Sequence, residues 1–154
     1  MTLYFAYGSN MNRAPMRARC PTAREAGTAT LAGHRLIITS DGYASVVPEP
    51  GGVVHGLLWR LASRDVAALN AYESLDTGLY RIVTLPVRAG ARQVPAMVYV
   101  ARTRTPGLPR PGYLEAVLAA ARELELPDDY VVALARWLPS APRGRRALDA
   151  GEVA

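Results

Sequence analysis

Leu3-Tyr4-Phe5-Ala6-Tyr7-Gly8-Ser9-Asn10-Met11 is an apolar, aromatic run that ends abruptly in a small, polar turn. Leu3 to Tyr7 reads as a buried strand, because aromatic side chains suit the pleated surface of a sheet. The run is too short for periodicity alone to separate strand from helix. Gly8 tolerates backbone angles closed to other residues, and Ser9 and Asn10 are turn and helix-capping types. Successive unpaired N–H groups in such a turn can cradle an anion or a developing oxyanion. At this level an ordinary strand-to-helix connection would look the same.

Outward from that strand, Asn10 or Asn12 can cap a helix from Ala14 to Arg19, with Pro15 in its first turn. Thr28 to Leu31 and Arg35 to Thr39 read as strands joined by a turn at Gly33. Ala44 to Val47 reads as a further strand, closed by the loop Pro48 to Gly52. Val53 to Leu61 is a stronger strand, and its interior Gly56 points to a bulge or a close approach by another backbone or a ligand. Ser63 and Asp65 open a helix to Glu73. Tyr80 to Val87 and Val94 to Ala101 form a strand pair around Gly90. Helices follow from Tyr113 to Leu124 and from Pro127 to Leu138. The expected fold is α+β: a small, mixed, mostly antiparallel, barrel-like sheet flanked by helices. One domain spans residues 1–138, and residues 139–154 form a Pro-, Gly- and Arg-rich tail.

The bulk properties narrow the function classes. The 154 residues, half of them hydrophobic, suit one well-packed domain. No segment resembles a signal core or a membrane span, so a cytoplasmic protein without a membrane partner is expected. The net charge of +5 rests on arginine alone, since the chain has no lysine. The arginines are spread along the chain without interleaved aromatics, which argues against nucleic acid as a partner. Cys20 is the single cysteine and precedes Pro21, which excludes an internal disulfide. Ser9 with His34 or His55 does not sit in a Gly-x-Ser-x-Gly elbow. Two isolated histidines without acidic partners at ligand spacing do not make a zinc site, so no metal is expected.

Glu73 is the second informative residue. It lies seven residues after Val66 and four after Leu69, on the apolar face of its helix. It also falls at the helix C-terminus, where the macrodipole disfavours negative charge. Both costs would raise the carboxyl pKa and make a better proton acceptor near neutral pH. The alternative is an outward side chain, or one paired with an arginine such as Arg81.

Together these segments resemble the gamma-glutamylcyclotransferase family. The resemblance is carried by Tyr4-Phe5-Ala6-Tyr7-Gly8-Ser9-Asn10-Met11, by Glu73 with Tyr80 seven positions later, and by Val54-His55-Gly56-Leu57-Leu58-Trp59. Pro109-Arg110-Pro111-Gly112-Tyr113 and Leu126-Pro127-Asp128-Asp129-Tyr130 resemble the family's C-terminal helical part. Two departures stand out. Ser74 replaces the glycine that usually follows the family's glutamate, and Asn10 after Ser9 points away from the glutathione-degrading branch.

The resemblance implies a reaction without cofactors on a gamma-glutamyl amino acid or amine, releasing 5-oxoproline and the free amine. Glu73 would be the catalytic acid/base. Tyr7, Gly8, Ser9, Asn10, Met11, Tyr80, Tyr99 and Tyr113 would bind the substrate, and the loops Ser40 to Gly52 and Thr103 to Gly112 would meet the leaving amine. The partner is then a small molecule, and a homodimer stays open. Two competing readings are a non-catalytic module that keeps the pocket for a small acid, suggested by Ser74, and a protein that uses its arginines on an acidic partner.

Overall fold

The computed structural model describes residues 1–73 and 78–139; Ser74 and the tail from residue 140 lie outside the described residues. Thr2–Ala6 forms the first strand, β1, and its Tyr4, Phe5 and Ala6 are all buried. A strand buried on successive residues must be covered on both faces. It is also paired along both edges. One neighbour is β3 (Ala44–Leu61), antiparallel from Thr2↔Leu61 to Ala6↔Leu57, and the other is β5 (Arg92–Ala101), parallel at Tyr4↔Met97. β2 (Arg24–Ile38) pairs antiparallel with β3 and, at Thr30↔Arg88, with β4 (Tyr80–Ala89). β4 and β5 form the expected hairpin around Gly90, in register from Tyr80↔Ala101 to Ala89↔Arg92. The order β1-β3-β2-β4-β5 closes into a barrel, mixed only through its single parallel pair.

The expected breaks at Gly33 and at Pro48 to Gly52 are corrected by the structure. β2 and β3 are each one long strand, and the two segments face each other across the same ladder. Pairing runs from Arg24↔Arg60 to Ala32↔Val53, then resumes at His34↔Pro48 and continues to Ile38↔Ala44. Gly33, in the left-handed region at φ +73°, therefore opposes residues 49–52 in a wide bulge. A local glycine or proline signal does not end a strand when its partner carries the ladder past the irregularity. Gly56 follows the other expectation, close approach. A Cβ there would stand 2.3 Å from the Ala6 carbonyl oxygen and 2.9 Å from the Phe5 ring.

Four helices flank the barrel among the described residues: α1 (Arg13–Arg19), α2 (Ser63–Tyr72), α3 (Tyr113–Glu123) and α4 (Asp128–Ala135). Asn12 holds the N-cap position of α1 without a side-chain cap bond; its Nδ2 donates instead to the Ala116 carbonyl of α3 at 3.2 Å. At the start of α2, the Asp65 carboxylate accepts the Ala62 N–H at 2.9 Å and the Thr22 hydroxyl at 2.6 Å. The α3 face made by Leu114, Val117, Leu118 and Ala121 is buried, at the spacing expected of a helix packed on a core. No described helix is long and apolar enough to cross a membrane.

Candidate functional site

The chain leaves β1 at Tyr7 and Gly8 and winds into a single 3-10 turn, Ser9–Met11. The Met11 and Asn12 N–H groups bond back to the Gly8 and Ser9 carbonyls at 3.1 and 3.0 Å. The earlier N–H groups of such a turn have no carbonyl within it to bond, which leaves them pointing forward. Gly8 has φ −119°, outside the left-handed region, so its requirement is for space. A Cβ there would stand 2.8 Å from the Tyr113 hydroxyl. Trp59 Nε1 donates to the Asn10 carbonyl at 3.0 Å and pins the turn to β3.

This turn forms one wall of a cavity of about 150 Å³. Tyr7, Gly8, Ser9, Asn10, Glu73, Tyr80, Tyr99 and Tyr113 all line it, so the structure brings together nearly every site residue expected from the sequence. Met11 is the exception. Its side chain is buried in the core beneath the turn, away from the cavity lining.

Glu73 caps the C-terminus of α2, its N–H bonded to the Leu69 carbonyl at 2.8 Å. Leu69 beside it is fully buried, consistent with a carboxylate carried on the inward face. Asn10 Nδ2 donates to Glu73 Oε2 at 3.2 Å and so joins the turn to the carboxylate. Burial pushes the Glu73 carboxyl from 4.5 up to about 7, against the opposing pull of the Arg19 guanidinium and the Asn10 hydrogen bond. The cation acting on Glu73 is thus Arg19, from α1, and not Arg81.

The tyrosines differ in what their hydroxyls have left to give. Tyr7 donates to the Tyr99 carbonyl at 2.6 Å, Tyr80 to the Ala44 carbonyl at 2.6 Å, and Tyr99 to Asn70 Oδ1 at 2.7 Å. Those three shape the wall with their protons already committed. Tyr4 accepts from Asn10 Nδ2 at 2.9 Å, and Tyr113 accepts from the Ala44 N–H at 3.1 Å and is also faced by the Ser9 N–H. A hydroxyl that accepts keeps its own proton to donate. Burial first, and the neighbouring Glu73 charge among lesser causes, raise the Tyr4 and Tyr113 pKa values, so both remain protonated donors.

Sequence reasoning missed Tyr4, Tyr72 and Leu79 as lining residues, and Arg19 behind them, while Tyr43 and Ala44 fall within the Ser40 to Gly52 segment expected to meet the leaving amine. Of the missed residues only Tyr4 carried a signal, its place in the aromatic run that leads into the turn. His34 and His55 lie outside the lining: His34 Nδ1 is 2.9 Å from the Ala32 carbonyl oxygen, and His55 packs on Tyr130 with ring centroids 4.7 Å apart. Among the described residues, no cluster of three or more His, Cys, Asp or Glu side chains is placed to hold a metal ion.

A family model described as gamma-glutamyl cyclotransferase, AIG2-like, matches residues 4–115. The chain is 26% identical to a Mus musculus protein named gamma-glutamylcyclotransferase, over 93% of this chain and 82% of that one. It is 25% identical to the Homo sapiens protein of the same name, over 83% and 74%. A solved structure titled gamma-glutamyl cyclotransferase superposes with a TM-score of 0.83 at 23% identity, covering 99% of this chain and 96% of the other, a likeness of fold.

Proposed function

This chain belongs to the gamma-glutamyl cyclotransferase, AIG2-like family, and from that premise we propose that it cyclises the gamma-glutamyl group of a gamma-glutamyl amino acid or amine to 5-oxoproline, releasing the free amine. The observation that carries this reading is the 3.2 Å contact between Asn10 of the turn and Glu73, a half-buried carboxyl whose pKa is pushed up to about 7.

The substrate arrives with a protonated α-amine, which sits beside a free α-carboxylate and is more basic than a peptide N-terminus. A base whose own pKa is raised to about 7 takes that proton at a smaller cost than an ordinary carboxylate would. The freed amine nitrogen then attacks the γ-carbonyl carbon, forming the ring C–N bond. The carbonyl oxygen gathers negative charge, which backbone N–H groups of the turn and the Tyr113 hydroxyl, whose oxygen accepts the Ala44 N–H, would stabilise. Collapse breaks the original amide C–N bond, and Glu73 returns its proton to the leaving nitrogen. The second proton, which the ring nitrogen sheds on becoming a lactam N–H, leaves with the amine, which departs in its ammonium form. Ring closure is intramolecular, so a cavity that holds the glutamyl chain folded supplies much of the acceleration. The walls contributed by Tyr7, Tyr80 and Tyr99 serve that purpose. The scheme uses only side chains and backbone groups of the chain itself.

The test is direct. Folded protein is incubated with a panel of gamma-glutamyl amino acids and gamma-glutamylamines, and 5-oxoproline is measured. Release from at least one is the expected result; no release from the whole panel would overturn the proposal.

A further inference from the structure

We propose that Arg19 is a positioning residue of this site, fixing the Asn10 amide so that its NH2 group faces Glu73. A side-chain amide has two ends of almost the same size and opposite hydrogen-bonding character. Arg19 Nη1 donates to Asn10 Oδ1 at 2.5 Å, while Asn10 Nδ2 donates to Glu73 Oε2 at 3.2 Å and to the Tyr4 hydroxyl at 2.9 Å. A guanidinium is donor-only, so the amide oxygen must turn toward it. The opposite orientation would set NH2 against the guanidinium and the amide oxygen against the carboxylate. Arg19 therefore selects the orientation in which the turn stabilises ionised Glu73.

The guanidinium is itself held. Its Cζ lies 3.5 Å from the centroid of the Tyr72 ring, a stacking that desolvated arginines favour. Tyr72 in turn stands with its hydroxyl 3.4 Å from Ser9 Oγ. Arg19 on α1, Asn10 on the turn and Tyr72 with Glu73 at the end of α2 thus form one connected bracket, with Asn10, Tyr72 and Glu73 on the cavity lining and Arg19 behind it. No other cation among the described residues contributes to the titration of Glu73. The remaining ionisable groups that face it are hydroxyls: Tyr4, Tyr7, Tyr80, Tyr99 and Tyr113, all pushed up and neutral. Removing Arg19 removes both a charge and the reason for the amide's orientation, and Glu73 should hold its proton to higher pH.

The functional consequence rests on the proposed cyclotransferase reading, but the measurement does not. Carboxyl carbon NMR follows the Glu73 titration in the wild type, in R19M, R19Q and R19K, with E73Q used to assign the resonance. The Glu73 midpoint should rise by about one pH unit in R19M, the scale expected for loss of one nearby opposite charge. It should rise in R19Q as well, and R19K should return it most of the way. Should R19M not fold, R19Q, which keeps a donor for Asn10 Oδ1, carries the same comparison against R19K. A midpoint unchanged in the folded neutral variants overturns the proposal, whatever happens to activity. A raised midpoint in a protein that releases no 5-oxoproline upholds the role of Arg19 and rejects the reaction. If both hold, the acid limb of kcat/KM moves up with the midpoint in R19M and recovers in R19K.

Discussion

The turn from Tyr7 to Asn10 and the end of α2 at Glu73 line the same cavity, yet they are held in opposite ways. The turn is fixed through its backbone. Trp59 bonds the Asn10 carbonyl, the neighbouring Asn12 side chain ties to α3, Tyr113 presses on Gly8, and Met11 is buried beneath. Glu73 is fixed by one side-chain hydrogen bond, by burial and by the charge of Arg19. Groups that bind by geometry sit on rigid backbone, where a displacement of an ångström would be costly. A group that must exchange a proton sits where its environment sets its pKa, and this raises its energy in the charged form. On this view the turn is tested by changes of shape and Glu73 by changes of charge.

The largest expected effect is that of Glu73→Gln. Turnover should fall about 10²- to 10⁴-fold, the usual worth of a positioned acid–base, while substrate binding changes little. The same variant should gain stability at alkaline pH. The folded state holds the Glu73 proton up to about 7, whereas the unfolded chain releases it near 4.5. The folded state therefore binds more protons between those values, and stability falls as pH rises through that window. Above it, wild type should be less stable than Glu73→Gln by roughly 2–3 kcal/mol; below it, the two should converge. Denaturation curves at several pH values check this, and equal stabilities at pH 8 would show that the carboxylate is not strained. In wild type, kcat/KM should fall on the acid side with a midpoint near 7.

Gly8→Ala comes next and tests the turn. Its Cβ would meet the Tyr113 hydroxyl at 2.8 Å, the same oxygen that accepts the Ala44 N–H. Relief requires that hydroxyl or the turn to move, at about 1–3 kcal/mol, the range for overpacking. Activity should drop about 10- to 100-fold without a change in the pH midpoint, since Glu73 is untouched. Adding Tyr113→Phe removes the clashing oxygen and should return part of the stability, but not the activity. A Gly8→Ala variant that shifts the pH midpoint would mean that the two regions are not separable.

The same contrast explains what the sequence made legible. β1 and its turn, the hairpin at Gly90 and the four helices were readable because their signals are local: aromatic runs, turn glycines and helical spacing. Glu73 was readable because spacing and helix end coincide on one residue. The continuous pairing of β2 with β3 was not, because Gly33 and the Pro48 to Gly52 segment mimic strand ends and only the partner strand reveals the bulge. Tyr72 lines the cavity and Arg19 joins it from behind through tertiary packing between elements distant in sequence, and nothing in their neighbours announces it. Met11 belonged to the quoted run by resemblance, but its side chain went to the core, leaving its contribution to the backbone of the turn.

Ser9→Ala is expected to do least, and that small effect is informative. The Ser9 hydroxyl has only a 3.4 Å contact with the exposed Tyr72 hydroxyl, and neither histidine lines the cavity to serve it as a base. Serine attacks only when a neighbouring base takes its proton. The role left to Ser9 is its backbone N–H, which alanine keeps in place. Activity should therefore stay within about threefold of wild type, and stability within about 0.5 kcal/mol, as for a surface position with no special contact. A loss approaching that of Glu73→Gln would make the hydroxyl a reacting group and the turn more than a cradle. If the loss is small while Gly8→Ala is costly, the turn acts through its backbone shape, and the chemistry of proton transfer belongs to the helix end across the cavity.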